Sequence, residues 1–158
     1  MTIPITIAGA GNWMVTTDRI GSLIVKQVQG RYAAEIVEVR YIGGAALALL
    51  DIIHGQELLL LIDACNGQDI AGKVRCYAPN LNSVTAITGT LHQIGPLETL
   101  LIAKHLYPET LPKHILFITI ETENLDAELE IVACKKVIAI LDREIENWLK
   151  QSSINYKL

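Results

Sequence analysis

Leu58-Leu59-Leu60-Leu61-Ile62-Asp63 is the stretch on which the fold turns. Five apolar residues in a row, with no polar residue alternating between them, leave no face for water, as in a strand covered on both sides of a parallel sheet. Asp63 stands at the carboxyl end of that run. Upstream, Ile3 to Ala8 is another apolar, β-rich run, and it meets Gly9 and Gly11 as a buried strand ending in a tight loop would. From Asp18 to Gln29, Ile20, Leu23, Ile24 and Val28 recur at helical spacing, and Gly30 sits where a C-terminal cap would. Glu35 to Tyr41 alternates apolar with charged residues, which predicts a strand with one wetter face, nearer an edge. Ala45 to Ile53 reads as a short helix closed by His54 and Gly55.

Downstream of Asp63, Gly72 to Ala78 can add a short edge strand, and the polar, aperiodic segment Asn80 to Leu91 reads as a surface loop. Pro96 suits the first turn of a helix whose apolar residues run from Leu97 to Leu106, and Pro108 stops it. Ile115 to Ile120 is a further apolar strand. From Ala127 onward Ile131, Cys134, Ile138, Leu141, Ile145 and Trp148 recur every three or four residues, the stripe of a long amphipathic helix. Strands alternating with helices predict an α/β three-layer sandwich: a twisted, mostly parallel sheet of about five strands flanked by helices on both faces, in a single domain over residues 1–158.

Composition narrows the function. The chain has 158 residues, is half apolar and carries a net charge of −4, so it offers no basic field for nucleic acid. Cys65, Cys76 and Cys134 form no CxxC pair, which suggests neither a disulfide framework nor a cysteine-built zinc site and fits a reducing cytoplasm. The start Met-Thr-Ile-Pro-Ile lacks the features of a signal peptide, and Leu58 to Ile62 is too short to span a bilayer, so no membrane association is expected. The helix stripes can all be used against one sheet, which predicts a monomer or weak dimer.

Open α/β sheets bind ligands outside the carboxyl ends of their strands. Three residues fall there: Asp18 in the loop after the first strand, Asp63 at the end of the Leu58–Ile62 strand, and His92 in the loop before the Pro96 helix. Two carboxylates and an imidazole can hold a borderline metal such as nickel or zinc with positions left open. The plainer reading is that both aspartates cap neighbouring backbone and His92 packs or caps a helix. Gly9-Ala10-Gly11-Asn12-Trp13-Met14 invites comparison with a dinucleotide-binding turn, but Met14 stands where a third small residue is needed. No GxSxG turn is present, and Cys65 has no base that sequence assigns to it.

Taken together, Gly9-Ala10-Gly11-Asn12-Trp13-Met14-Val15-Thr16-Thr17-Asp18-Arg19-Ile20-Gly21 resembles the GxGNxLxxDDGxG opening of the hydrogenase maturation endopeptidases, peptidase family M52. Leu61-Ile62-Asp63-Ala64 is similar to that family's strand-end Asp-Ala, and Leu91-His92-Gln93-Ile94-Gly95 to its His-Gln-hydrophobic-Gly segment. The resemblance implies a metal-contacting site of Asp18, Asp63 and His92. It also implies an endopeptidase that removes the C-terminal extension of the nickel-loaded large-subunit precursor of a nickel-iron hydrogenase. The nickel would come mainly with the substrate, and a surrogate divalent ion could occupy the site. Two positions and one segment depart from the pattern: Thr17 replaces the first acid, Arg19 the following small residue, and Gly43-Gly44-Ala45-Ala46 lacks the usual Thr-x-Gly continuation. Two alternatives stay open: a non-catalytic assembly factor that binds the same metal-loaded subunit, and a nucleotide-binding protein using Gly9 and Gly11.

Overall fold

A computed structural model describes residues 3–67, 69–82 and 94–152. Strand β1 (Ile5–Ala10) leads to helix α1 (Ile20–Val28), strand β2 (Val37–Gly43) and a 3-10 turn over Ala46–Asp51. Then come β3 (Leu58–Cys65), β4 (Val74–Tyr77), α2 (Pro96–Leu106), a short 3-10 turn over Pro108–Thr110, β5 (His114–Glu121) and α3 (Ala127–Gln151). The sheet order is β2-β1-β3-β5-β4. All pairings are parallel except that of β4 with β5.

The run Leu58 to Ile62 does what its composition demands. Because side chains alternate across a strand, Leu58, Leu60 and Ile62 join Ile5, Ile7, Ile118 and Ile120 beneath α1 and α3. Leu59 and Leu61 face the other way, against Leu49 of the 3-10 turn and Leu100 and Ala103 of α2. Each buried leucine is worth about 1.5–3 kcal/mol relative to exposure, so a charge at Leu60 or Leu61 would remove one core or the other. The three layers are therefore α1 with α3, the sheet, and α2 with the 3-10 turn.

The structure refines several expectations. β3 runs on past Asp63, which pairs with Thr119 inside the ladder, and ends at Cys65. Strand β4 is antiparallel because the connection from Asn66 to Lys73 is too short for a helical crossover, which needs roughly a dozen residues or more. The segment expected as a short helix at Ala45 to Ile53 is 3-10 rather than α. Ile131 does not belong to the buried stripe of α3, which is Ala133, Cys134, Val137, Leu141 and Ile145. In that first stretch Leu129 lies over Gly72 and Glu130 binds Arg19, leaving Ile131 57% exposed. Within the expected loop Asn80 to Leu91, residues 83–91 lie outside the described part of the chain, as does His92.

Candidate functional site

The loop between β1 and α1 is tightly built. Gly11 takes a φ of +115°, a left-handed conformation that L side chains rarely adopt, and a Cβ there would lie 1.9 Å from the carbonyl oxygen of Asp18. The chain can fold back over itself only because that atom is missing. The turn then closes on Asp18: the Asn12 N–H donates to its carboxylate at 2.7 Å, and the Asp18 N–H donates to the Val15 carbonyl at 2.9 Å. The Asn12 side chain accepts from the Met14 N–H, and the Tyr41 hydroxyl donates to the Gly11 carbonyl at 2.8 Å. Behind the loop, helix and strand meet without side chains between them, since a Cβ on Gly21 would sit 2.1 Å from the Ala10 carbonyl oxygen. The N-terminus of α1 is thus pinned to the end of β1.

Asp63 and Asp18 are brought within electrostatic reach of each other at the carboxyl end of the sheet. The Asp63 carboxyl is pushed up to about 7, first by burial and then by the negative charge of Asp18, with the Ala64 N–H opposing in part. A divalent cation between the two would relieve that repulsion, so the pair suits a metal's oxygen ligands. Among the described residues no group of three His, Cys, Asp or Glu could hold a metal, and the third residue of the expected set, His92, lies outside them.

Two residues that sequence reading passed over organise this end of the sheet. Thr122, buried just past β5, donates its hydroxyl to the Thr17 carbonyl at 2.6 Å and lies 3.3 Å from the Cys65 carbonyl, which also accepts the Thr122 N–H at 3.0 Å. It ties the segment bearing Asp18 to the strand bearing Asp63. Glu121 is 1% exposed and accepts the N–H groups of Gly67 at 2.8 Å, Glu123 at 3.2 Å and Asp69 at 3.3 Å. Those bonds, the Gly67 one foremost, hold its carboxyl below the ordinary range, so it serves as a clamp on the loop after β3. Neither role was legible, because nothing local marks a Thr or Glu at a strand end as holding backbone far away in sequence.

Several other chemistry-bearing side chains among the described residues have structural partners or surroundings that account for them. Burial, followed by the charge of Glu121, pushes the Cys65 thiol up, which favours the thiol over the nucleophilic thiolate. Cys134 is buried, while Cys65 and Cys76 are half-buried. His54 sits 3.9 Å from Glu38, and His105 Nδ1 is 2.8 Å from the Leu101 carbonyl. Arg19 forms a two-pronged bond with Glu130 of α3, at 2.9 and 3.0 Å, which explains a bulky cation at a position where the family pattern has a small residue. The helix begins only at Ile20, well after the glycines, so no phosphate cradle forms at Gly9 and Gly11. Beside the loop, Trp13, Met14, Leu23, Val25, Lys26 and Tyr41 line most of an open groove of about 670 Å³.

A mostly parallel sheet covered on both faces, with Asp18 in the loop after β1 and Asp63 near the end of the adjacent β3, defines an α/β protein with two interacting carboxylates at the carboxyl ends of its strands. The chain belongs to the hydrogenase maturation protease family, whose model matches residues 23–151. The matched span begins after Asp18, so that loop stands on its own geometry. Among solved structures the chain is similar to the hydrogenase maturating endopeptidase HybD from E. coli, with 23% identity, 89% of this chain and 93% of that one covered, and a TM-score of 0.66. It is also similar to the [NiFe] hydrogenase maturation protease HybD from Thermococcus kodakarensis, with 18% identity, 89% and 98% covered, and a TM-score of 0.69. A third likeness is to the hydrogenase 2 maturation peptidase from the Thaumarchaeota archaeon SCGC_AB-539-E09, with 18% identity, 90% and 97% covered, and a TM-score of 0.64. No match was found among curated protein sequences.

Proposed function

We propose that this chain is the endopeptidase that removes the C-terminal extension from a nickel-loaded large-subunit precursor of a nickel-iron hydrogenase, using Asp18, Asp63 and His92 to contact the metal. The observation that carries the reading is the convergence of Asp18 and Asp63, with the Asp63 carboxyl raised to about 7 by burial and by its neighbour. A family of proteases supplies the reaction class. Helix α2 shares a buried cluster with β3 and β5 through Leu100 and Ala103 and ends where the chain turns into β5. It therefore begins toward the carboxyl ends of the strands, with His92 just upstream.

The nickel is substrate in this reading, carried in by the precursor. Asp18 and Asp63 offer oxygen donors and His92 an imidazole, a set that suits a borderline divalent ion. The Asn12 N–H holds the Asp18 carboxylate, and Thr122 fixes the spacing of the two aspartate-bearing segments, so the two carboxylates are set before substrate arrives. In the metal-free protein Asp63 can gain or release a proton near neutral pH, as a group that assists hydrolysis must. The protein works as a monomer or weak dimer in a reducing cytoplasm, where its three cysteines remain thiols. Among the described residues no helix is long and apolar enough to cross a membrane.

The test is incubation of the purified protein with nickel-loaded and nickel-free precursor while following intact mass. Loss of a C-terminal peptide only from the nickel-loaded form, abolished by Asp18→Asn, is the expected result. Binding without any mass change would overturn the endopeptidase reading in favour of a non-catalytic assembly factor.

A further inference from the structure

We propose that the groove between the β1–α1 loop and α1 is the docking subsite for an apolar segment of the protein substrate that carries an acidic side chain; this rests on the endopeptidase reading and specifies what that substrate must present. The groove's walls are Trp13 and Met14 from the loop, Leu23, Val25 and Lys26 from α1, and Tyr41 from β2. Trp13 is 65% exposed and Met14 75% exposed. Together with the 46% exposed Tyr41 they gather on one groove, and a contiguous apolar patch, unlike a singly exposed side chain such as Ile131, marks a contact surface.

They are bare on a rigid support. The loop behind them is held by the Asn12, Val15 and Asp18 bonds, by the Tyr41 hydroxyl on Gly11 and by Thr122 on Thr17. A preformed apolar surface binds without an ordering penalty in the loop. Trp and Met also suit a protein partner, since one gives a large rigid contact and the other adapts to it.

Charge selects the occupant. The chain carries a net −4, yet the groove is lined by two cations, Arg19 and Lys26, and by no carboxylate. Arg19 is committed to Glu130, whereas Lys26 makes no ion pair among the described residues. One ammonium beside an apolar wall asks for a polypeptide with an Asp or Glu close to its apolar residues. The same short loop bears Trp13, Met14 and Asp18, so a segment held in the groove continues toward the candidate metal-contacting site.

The experiment compares kinetics of cleavage of the nickel-loaded large-subunit precursor from the same organism, read by intact mass, with direct binding of that precursor. The Trp13→Ala/Met14→Ser double variant should lower kcat/KM and precursor affinity at least tenfold, with the loss carried by KM. Lys26→Glu should lower affinity about fivefold and abolish the weakening of binding by salt. Ile131→Ala, an exposed apolar change on α3, is the control and should change nothing. If wild type cleaves and both groove variants match it in KM, the groove proposal is overturned while the endopeptidase reading stands. If wild type neither binds nor cleaves the precursor, that reading fails and the proposal with it. A wild-type dimer dissociated by the double variant, with cleavage unaffected, would assign the groove to a second copy of the chain and overturn the proposal. Vesicle binding lost in that variant, again with cleavage unaffected, would assign it to a lipid surface with the same consequence.

Discussion

Replacing Asp63 by Asn should make the metal-free protein more stable and inactive at once. The Asp63 carboxyl lies at about 7 against an ordinary 3.8, because burial and the charge of Asp18 disfavour its ionised form. The folded chain therefore holds this proton more tightly than the unfolded one. Stability is undiminished below about pH 4, falls as the pH rises toward about 7, and stays reduced by a constant amount above that. About three pH units at 1.36 kcal/mol each would give on the order of 4 kcal/mol for a dry site. Water reaches this partly open end of the sheet, so the penalty should be on the order of 2 kcal/mol. Asn keeps the shape of the protonated acid and cannot ionise. Urea unfolding of both proteins between about pH 4.5 and pH 8 should show the Asn variant gaining steadily, to a difference on the order of 2 kcal/mol at the upper end. The variant should also fail to process nickel-loaded precursor. Parallel pH profiles, or a variant less stable than wild type at pH 8, would refute the placement of Asp63 beside Asp18 in a desolvated site.

Two further outcomes follow, one from the same end of the sheet and one from its opposite end. Thr122→Val removes the hydroxyl that bonds the Thr17 carbonyl at 2.6 Å while keeping the volume, so unfolding free energy should drop by about 1–2 kcal/mol and cleavage should slow. Thr122→Ser should restore both, and a valine variant equal to wild type would remove Thr122 from the positioning role. Asp142 accepts from Arg31 at 2.7 and 3.1 Å and from the Tyr32 hydroxyl at 2.8 Å, and the Arg31 bonds hold its carboxyl below the usual range. A depressed carboxyl stabilises the fold above the ordinary pKa near 4, and the gain is lost as pH falls through the lower folded value. Asp142→Asn should therefore destabilise by about 1 kcal/mol at pH 7, after solvent screening of this exposed pair, with the difference vanishing on acidification in denaturation curves. A difference independent of pH would show that packing of Tyr32, not the charge, carries it.

The architecture was legible where residues obey a period. Leu58 to Ile62 declared a doubly covered strand, and the structure divides those five side chains between two cores. Pro96 opened a helix and the spacing from Cys134 to Trp148 declared α3. Periodicity misled at Ile131, since helical spacing says which residues share a face and not how far along the helix the neighbouring layer extends. The direction of β4 was hidden for a related reason: a four-residue strand carries too little pattern to reveal its partner. Asp18 and Asp63 could be singled out because the carboxyl ends of parallel strands are where such sheets place chemistry. Thr122 and Glu121 could not, because they act on backbone groups distant in sequence.

Thr17 and Arg19, the two departures from the opening motif, bear differently on activity once their contacts are known. Thr17 enters the site's architecture through its carbonyl oxygen, which Thr122 binds, and any residue supplies that atom. Its side chain is free to vary without moving Asp18. Arg19 replaces a residue whose smallness would leave α1 and the start of α3 unconnected at this point, and its bond to Glu130 joins them instead. Asp18 stands between these two positions, held by the Asn12 N–H on one side and by the Gly21–Ala10 contact that seats α1 on the other. The geometry around the carboxylate is thus set by glycines and backbone bonds that the departures leave intact. The motif's second acid and the glycines at positions 9, 11 and 21 are what this loop needs mechanically, and those are positions this chain has kept.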